Sequence, residues 1–247
     1  MKLDNKKYGF YGRLKKEFPS QIIVAITENC NYACKHCPHA NLTKSEVYKG
    51  TNLSEELNKK LVDEVGSAGK GYCTHMRYTA SGEPLLHPKG FELLGYATKN
   101  SGTMVSLTTN GSMLTDVNRK KLLDTKVNLI DISLDAFTAE TYEKIRINGK
   151  YENVKNNVLS LLKERDNGNY DTKIVVSFVK QPLNINEAKP FEEFWYSKGV
   201  NFVILRSLHT AAGAIDVKIN TPEKRWPCVY PWDRMILSHN GNLAYCP

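Results

Sequence analysis

From about residue 21 onward, short apolar runs alternate with longer stretches in which apolar residues recur at helical spacing. The pattern predicts strands at Ile22–Ile26, Tyr72–Tyr78, Val105–Leu107, Val127–Ile132, Lys173–Val179 and Phe202–Leu205. Between them it predicts helices at Glu55–Val65 (opened by Ser54), near Gly90–Thr98, at Asp116–Asp124, around Thr138–Ile145 and Tyr151–Arg165, and at Asn186–Lys198. Six strand–helix steps of this kind need right-handed parallel connections, hence a parallel sheet flanked by helices. An open doubly wound sheet and a partial barrel share this alternation, and the pattern alone does not separate them.

After Arg206 the texture changes. Ser207–Pro227 contains Ala211-Ala212-Gly213-Ala214 and two prolines, and reads as a linker or lid. The expected organisation is an N-terminal extension over 1–20, a core over 21–206, the linker over 207–227 and a cysteine-bearing segment over 228–247. That last segment is too short to bury a core alone and needs a metal or the main sheet to order it. No solenoid-type repeat or low-complexity stretch interrupts the chain.

Composition narrows the class. The chain has 247 residues, 41% hydrophobic and 24% charged, as expected of a globular protein with one full α/β domain. Ile22-Ile23-Val24-Ala25-Ile26 is far short of the ~20 apolar residues needed to span a bilayer, and Met1–Lys16 lacks the apolar run of a secretory signal. A cytoplasmic location is therefore expected. The net charge of +8 comes from scattered residues, with short clusters such as Arg119-Lys120-Lys121. It reads as a solvated surface, with an acidic substrate as the alternative. No aromatic-interleaved basic stripe argues for nucleic acid.

The six cysteines change the picture, because cytosolic thiols stay reduced and more often serve metals or catalysis than disulfides. Cys30, Cys34 and Cys37 stand in the pattern C-x3-C-x2-C just after the first strand. Three thiolates on one short loop can converge on one centre, and a cubane cluster has four irons, so one iron is left open to an external chelator. The end of a parallel strand is also where α/β proteins bind ligands. A structural zinc site, completed by His36 or His39, and a chance grouping remain open on these residues.

The run Cys30-Asn31-Tyr32-Ala33-Cys34-Lys35-His36-Cys37 resembles the signature of the radical S-adenosylmethionine (SAM) superfamily, including Asn31 in second place. The ring of His36 stands where family members often carry an aromatic residue packed near the adenine. Thr79-Ala80-Ser81-Gly82-Glu83-Pro84 follows the second strand and resembles the family's Gly-Gly-Glu-Pro element, with Ser81 in place of the first glycine. There Gly82 permits close approach, Glu83 can accept from the methionine amino group and Pro84 fixes the turn. Thr108-Thr109-Asn110-Gly111 matches a recurring Thr-Asn-Gly element, although Asn–Gly is also a common turn. Ser133-Leu134-Asp135-Ala136 resembles the Ser-Leu-Asp-Gly element, with Ala136 for glycine.

The resemblance covers about Gln21 to Arg206. It implies a partial (β/α)6 TIM-like barrel with parallel strands, followed by the start of a small cysteine-rich C-terminal extension. It also implies a 4Fe-4S cluster on Cys30, Cys34 and Cys37, with S-adenosylmethionine held by the elements just named. Ser133 and Arg146 would hold its ribose or carboxylate, with Asn110 and Asp135 as weaker candidates. A surface ion pair of Arg146 with Glu143 or Glu140 is the alternative for that residue.

Cys228 and Cys246 read C-x12-G-x4-C around Gly241, which resembles the opening of a SPASM domain. Such extensions bind auxiliary iron–sulfur clusters with further cysteines downstream. The sequence stops one residue after Cys246, so a fragment is expected, with two unrelated core thiols as the alternative. Cys73 reads as a buried small hydrophobe. His209 reads as a solvated loop residue, with substrate contact as the alternative.

Carried forward, the resemblance implies reductive cleavage of S-adenosylmethionine with electrons from a flavodoxin- or ferredoxin-type donor. The substrate would be a peptide or a small molecule such as a sugar derivative. The short stretch before the first strand leans toward the small molecule. A zinc scaffold and an iron–sulfur electron carrier are the rival classes.

Overall fold

The computed structural model describes residues 17–210, 214 and 215, 228, and 230–245. The 1–16 part of the expected N-terminal extension, most of the expected lid over 207–227, and Cys246 lie outside these residues.

The chain alternates strands and helices: β1 (Gln21–Val24), α1 (His39–Leu42), α2 (Glu55–Gly66), β2 (His75–Tyr78), α3 (Gly90–Asn100), β3 (Met104–Thr109), α4 (Asp116–Asp124) and β4 (Leu129–Ser133). It continues with α5 (Ala139–Ile145), α6 (Tyr151–Asn167), β5 (Lys173–Lys180), α7 (Ala188–Ser197), β6 (Phe202–Ser207), α8 (Tyr230–Asp233), β7 (Arg234–Leu237) and β8 (Leu243–Ala244). Capping chemistry sets several starts. Ser54, Thr115 and Thr138 each turn a side-chain oxygen onto the third following backbone N–H, opening α2, α4 and α5.

Among the described residues the strands form one sheet in the order β6-β5-β4-β3-β2-β1-β7-β8. Each of β2 to β6 lies parallel beside its predecessor, with β1 pairing Gln21 to His75 and β4 pairing Leu129 to Lys173. A doubly wound sheet breaks the sequential strand order where its winding reverses. Here β1 to β6 follow one another without a break, so the fold is a partial (β/α)6 barrel. Residues Ile22, Met76, Tyr78, Leu107, Ile132 and Phe178 of its strands are wholly buried.

Several boundaries differ from the pattern. β2 begins at His75, because the N–H groups of Tyr72 and Cys73 both turn back onto the Gly69 carbonyl. Cys73 therefore precedes the strand, though it is buried as expected. The expected helix at 186–198 is a 3₁₀ turn (Ile185–Glu187) leading into α7. α1 was not legible in the pattern.

The segment after 228 is ordered by the barrel. β7 adds to the free edge of β1 in parallel, with Gln21 beside Arg234 and Val24 beside Leu237. The Ala25 N–H extends that ladder to the Leu237 carbonyl at 2.9 Å. β8 folds back antiparallel on β7. Backbone pairing thus supplies the order for which a metal was the alternative.

Candidate active site at the mouth of the barrel

The cysteine loop leaves the C-terminal end of β1 and is fastened on three sides. The Ala33 N–H donates to the Ile147 carbonyl at 3.1 Å and the Lys35 N–H to the Ile145 carbonyl at 2.9 Å, which ties the loop to the end of α5. The Cys37 N–H donates to the Cys34 carbonyl at 3.1 Å, folding the second half into a turn. At the loop's start, the Glu83 N–H donates to the Asn29 carbonyl at 2.7 Å. Cys34 is buried, Cys30 and Cys37 are half-buried, and none of the three is in a disulfide.

Burial pushes the Cys30 thiol up to about 11, and Glu83, Cys34 and Cys37 add to the effect. Burial likewise raises Cys34, against the pull of the Arg146 charge. Three neighbouring thiolates are therefore costly without a cation to offset them, which fits an iron–sulfur group as the occupant. The two histidines that could complete a zinc site are each held through Nε2, His39 2.6 Å from the Glu28 carbonyl and His36 3.2 Å from Asp135 Oδ2, while His39 Nδ1 is buried without a partner. Among the described residues, no three His, Cys, Asp or Glu side chains form a site for a single metal ion.

The turn after β2 fits against this loop. Gly82 has φ +70°, and a Cβ there would stand 2.5 Å from the Thr27 carbonyl oxygen and 2.6 Å from that of Asn29. Pro84 opens a 3₁₀ turn (Pro84–Leu86) capped by the Glu83 side chain. The Glu83 carboxylate is 2% exposed and reaches sideways, accepting from Leu85 N at 3.2 Å, Thr109 Oγ1 at 2.6 Å and Asn110 N at 2.7 Å. It thereby welds the ends of β2 and β3, leaving about one of a carboxylate's four acceptor positions open. Burial raises its pKa, with the Thr109 and Asn110 bonds opposing.

Asn110 closes a small ring with the cysteine signature. Its Nδ2 donates to Asn31 Oδ1 at 2.9 Å, Asn31 Nδ2 donates to Ser112 Oγ at 2.8 Å, and Ser112 Oγ donates to Asn110 Oδ1 at 2.6 Å. Asn31, the second residue of the signature, is thus locked to the Thr-Asn-Gly element.

The end of β4 contributes charge. Asp135 is wholly buried at φ +63°, with Arg146 Nη2 at 2.5 Å from Oδ2 and the Val179 N–H donating to Oδ1 at 2.7 Å. Arg146 Nη1 lies 3.9 Å from Cys34 Sγ. Burial works against the Arg146 charge, but Asp135 and Cys34 outweigh it and raise the pKa. The surface alternative for Arg146 is overturned: Glu140 pairs with Lys144 and Glu143 with Lys150, while Arg146 turns inward past the end of α5. Burial lowers the His36 pKa, Asp135 opposing and Arg146 and His209 adding. Ser133 is half-buried at the end of β4, beside Ser177 of β5.

Cys34, Cys37, His36, Asp135 and Arg146 are thus bonded to one another, Glu83 and Asn110 are bonded to the loop at Asn29 and Asn31 on either side of Cys30, and Gly82 is fitted against it. Cys228 is exposed and lies on the C-terminal segment. Sequence reasoning missed a second polar layer on the strands, formed by Arg77, Thr108, Asp131, Ser177 and Arg206. The signal was there: strands of a parallel sheet covered on both faces read as near-continuous apolar runs, and Arg77 and Asp131 break theirs.

Residues 24–176 match the family model for the radical SAM superfamily. An AdoMet-dependent heme synthase of Methanosarcina barkeri is 36% identical over 128 residues, covering 52% of this chain and 34% of that protein. A probable GTP 3',8-cyclase of Methanococcus maripaludis is 30% identical over 152 residues, covering 60% of this chain and 46% of that protein. The chain therefore spans between a third and a half of the length of these curated relatives. The fold is shared with Streptococcus suis SuiB, solved bound to S-adenosylmethionine, at a TM-score of 0.74 and 12% identity over 93% of this chain and 60% of that one. With signature, barrel and family match in agreement, the chain belongs to the radical SAM superfamily.

Proposed function

We propose that the chain is the catalytic core of an enzyme that binds a 4Fe-4S cluster through Cys30, Cys34 and Cys37 and uses S-adenosylmethionine to start radical chemistry on a substrate. The observation that carries this reading is the placement of three free thiols on one loop at the barrel mouth, braced by Asn29, Asn31 and the end of α5. When bound, the cluster, given an electron by an external donor, would supply one-electron reductive chemistry at the sulfonium of S-adenosylmethionine, and Cys30, Cys34 and Cys37 would hold it there.

The chain's own residues bind, orient and exclude. The Ser81–Pro84 turn presents backbone groups and the remaining acceptor position of Glu83 toward the methionine end of S-adenosylmethionine. Ser133 offers a hydroxyl for the ribose or carboxylate, while Asn110 and Asp135 hold the surrounding loops in place. The Arg146 charge, fixed by Asp135, lies against Cys34 and offsets the negative charge of the thiolates. The His36 ring adjoins the same cluster and offers a flat face for adenine.

A flavodoxin- or ferredoxin-type donor, a cytoplasmic setting and a peptide or small-molecule substrate belong to the same proposal. No helix among the described residues is long and apolar enough to cross a membrane. An auxiliary cluster involving Cys228 and Cys246 is the proposal for the C-terminal segment. The test is anaerobic reconstitution with iron and sulfide, followed by reduction and assay for 5′-deoxyadenosine. Formation of that product supports the reading, and a fully loaded protein that forms none sinks it.

A further inference from the structure

Among the described residues, one polar layer on the inner face of the barrel sets Arg77, Arg206 and Arg234 against Asp131. Tyr78 donates its hydroxyl to Asn58 of α2 at 2.9 Å, so its face of β2 looks toward the helices. The alternate residues His75 and Arg77 look the other way, into the barrel. The strand registers place Ser106 beside Arg77, Asp131 beside Thr108 and Arg206 beside Val179 on that same inner face. Arg77 Nη2 and Arg206 Nη2 reach Asp131 Oδ2 at 3.0 and 2.9 Å, from strands on opposite sides of β4. The other oxygen of Asp131 accepts from the Ser177 hydroxyl.

A third arginine joins them from β7. Arg234 lies beside Gln21, with its guanidinium 3.7 Å from the centre of the Tyr230 ring. Its buried Nε has no hydrogen-bond partner among the described residues. Its charge bears on both His75 and Arg77. His75 adds no counter-charge: it is bonded to Gln21 and Ser106, and burial together with Arg77 and Arg234 pushes its pKa down to about 4. Asp131 thus faces two guanidinium groups with both of its oxygens already engaged, and the Arg234 charge beside Arg77 has no carboxylate bonded to it among the described residues.

We propose that this layer is an oxyanion subsite, in which Arg77, Arg206 and Arg234 receive a carboxylate or phosphate of the substrate. The reading deepens the radical-enzyme assignment and rests on it only for the identity of the bound molecule as substrate. Guanidinium forks match the two oxygens of such groups, and the low-dielectric walls of a barrel strengthen the attraction. The arginines remain reachable, with the side chains of Arg77 and Arg206 29% and 36% exposed. A purely structural network would pair the third arginine as it pairs the first two. The depth also suits a substrate. Arg77 bonds to Thr108 at 2.9 Å, and Thr108 lies two residues before Asn110, which holds Asn31. At a strand rise of ~3.3 Å per residue, the subsite lies about 7 Å below the cysteine loop.

The test is calorimetric titration of the reconstituted full chain, loaded with S-adenosylmethionine, using inorganic phosphate and succinate as probes. Saturable binding of either is expected, and the better probe tells a phosphate-bearing from a carboxylate-bearing substrate. Arg206→Gln and Arg234→Gln should each weaken it at least tenfold, whereas Asp131→Asn, which frees two arginines, should tighten it severalfold. Should Asp131→Asn fail to fold, Arg234→Gln carries the comparison, since Arg234 holds no carboxylate. No saturable binding of either probe, or equal affinity in wild type and Arg234→Gln, overturns the subsite. The two readings fail separately. Wild-type protein that forms 5′-deoxyadenosine without binding either probe overturns the subsite alone, while probe binding without that product supports it and overturns only the radical chemistry.

Discussion

Gly82 sits so close to Asn29 that an added Cβ would lie 2.6 Å from the Asn29 carbonyl oxygen, inside any real contact distance. The turn after β2 is therefore a mould for the start of the cysteine loop. Gly82→Ala should cost about 2–3 kcal/mol, from the left-handed backbone and the clash together. Gly102 has a similar φ of +65° with open space around it, so Gly102→Ala should show only the backbone part, about 1 kcal/mol. Urea unfolding of the two variants measures the difference, and equal losses would remove the mould.

The thiols should divide by position. Cys34→Ala should abolish iron uptake and the broad visible absorbance of the reconstituted protein. Cys73→Ala, a core residue ahead of β2, should keep both. Metal analysis after anaerobic reconstitution decides the matter, and full iron content in Cys34→Ala would contradict the assignment of the loop.

Asp135 and Arg146 form a buried pair, and breaking one partner strands the other. Asp135→Asn leaves the Arg146 charge buried without its counter-ion and should destabilise by about 3 kcal/mol. Asp135→Asn combined with Arg146→Met removes both charges and should cost less than the two single changes added together. Denaturant titration of all three variants gives the coupling, and strict additivity would show that the pair does not act as a unit.

Much of this was legible in the residues. The strand–helix alternation and the cysteine loop follow from local pattern, because strand periodicity and ligand spacing are short-range properties. The direction of winding was not legible, since it depends on which strand edges meet. Arg146 shows the same limit at the site. Its neighbours in sequence offered Glu140 and Glu143 as partners, but its backbone leaves α5 in a direction that carries the side chain to Asp135. β7 was hidden for a related reason: Arg234–Leu237 is a four-residue run whose place is set by the free edge of β1, more than 200 residues earlier.

Glu187 gives the site a pH-dependent support. Its carboxylate accepts from Phe137 N at 2.6 Å, Thr138 N at 3.1 Å, Thr138 Oγ1 at 2.7 Å and Thr141 Oγ1 at 2.5 Å, anchoring the start of α5, whose far end holds the cysteine loop. Burial alone would raise its pKa, but these bonds outweigh it and leave it lowered. A carboxyl lowered on folding stabilises fully above its unfolded value of roughly 4.3, and that contribution fades as pH falls through the folded value. Glu187→Gln should therefore cost about 1.5 kcal/mol at neutral pH, the low end for charged hydrogen bonds because water reaches the site. The gap between variant and wild type should close as pH drops through the acid range below that unfolded value. Thermal unfolding of both proteins across the acid range checks it, and a gap that stays constant with pH would rule out the ionised carboxylate as its source.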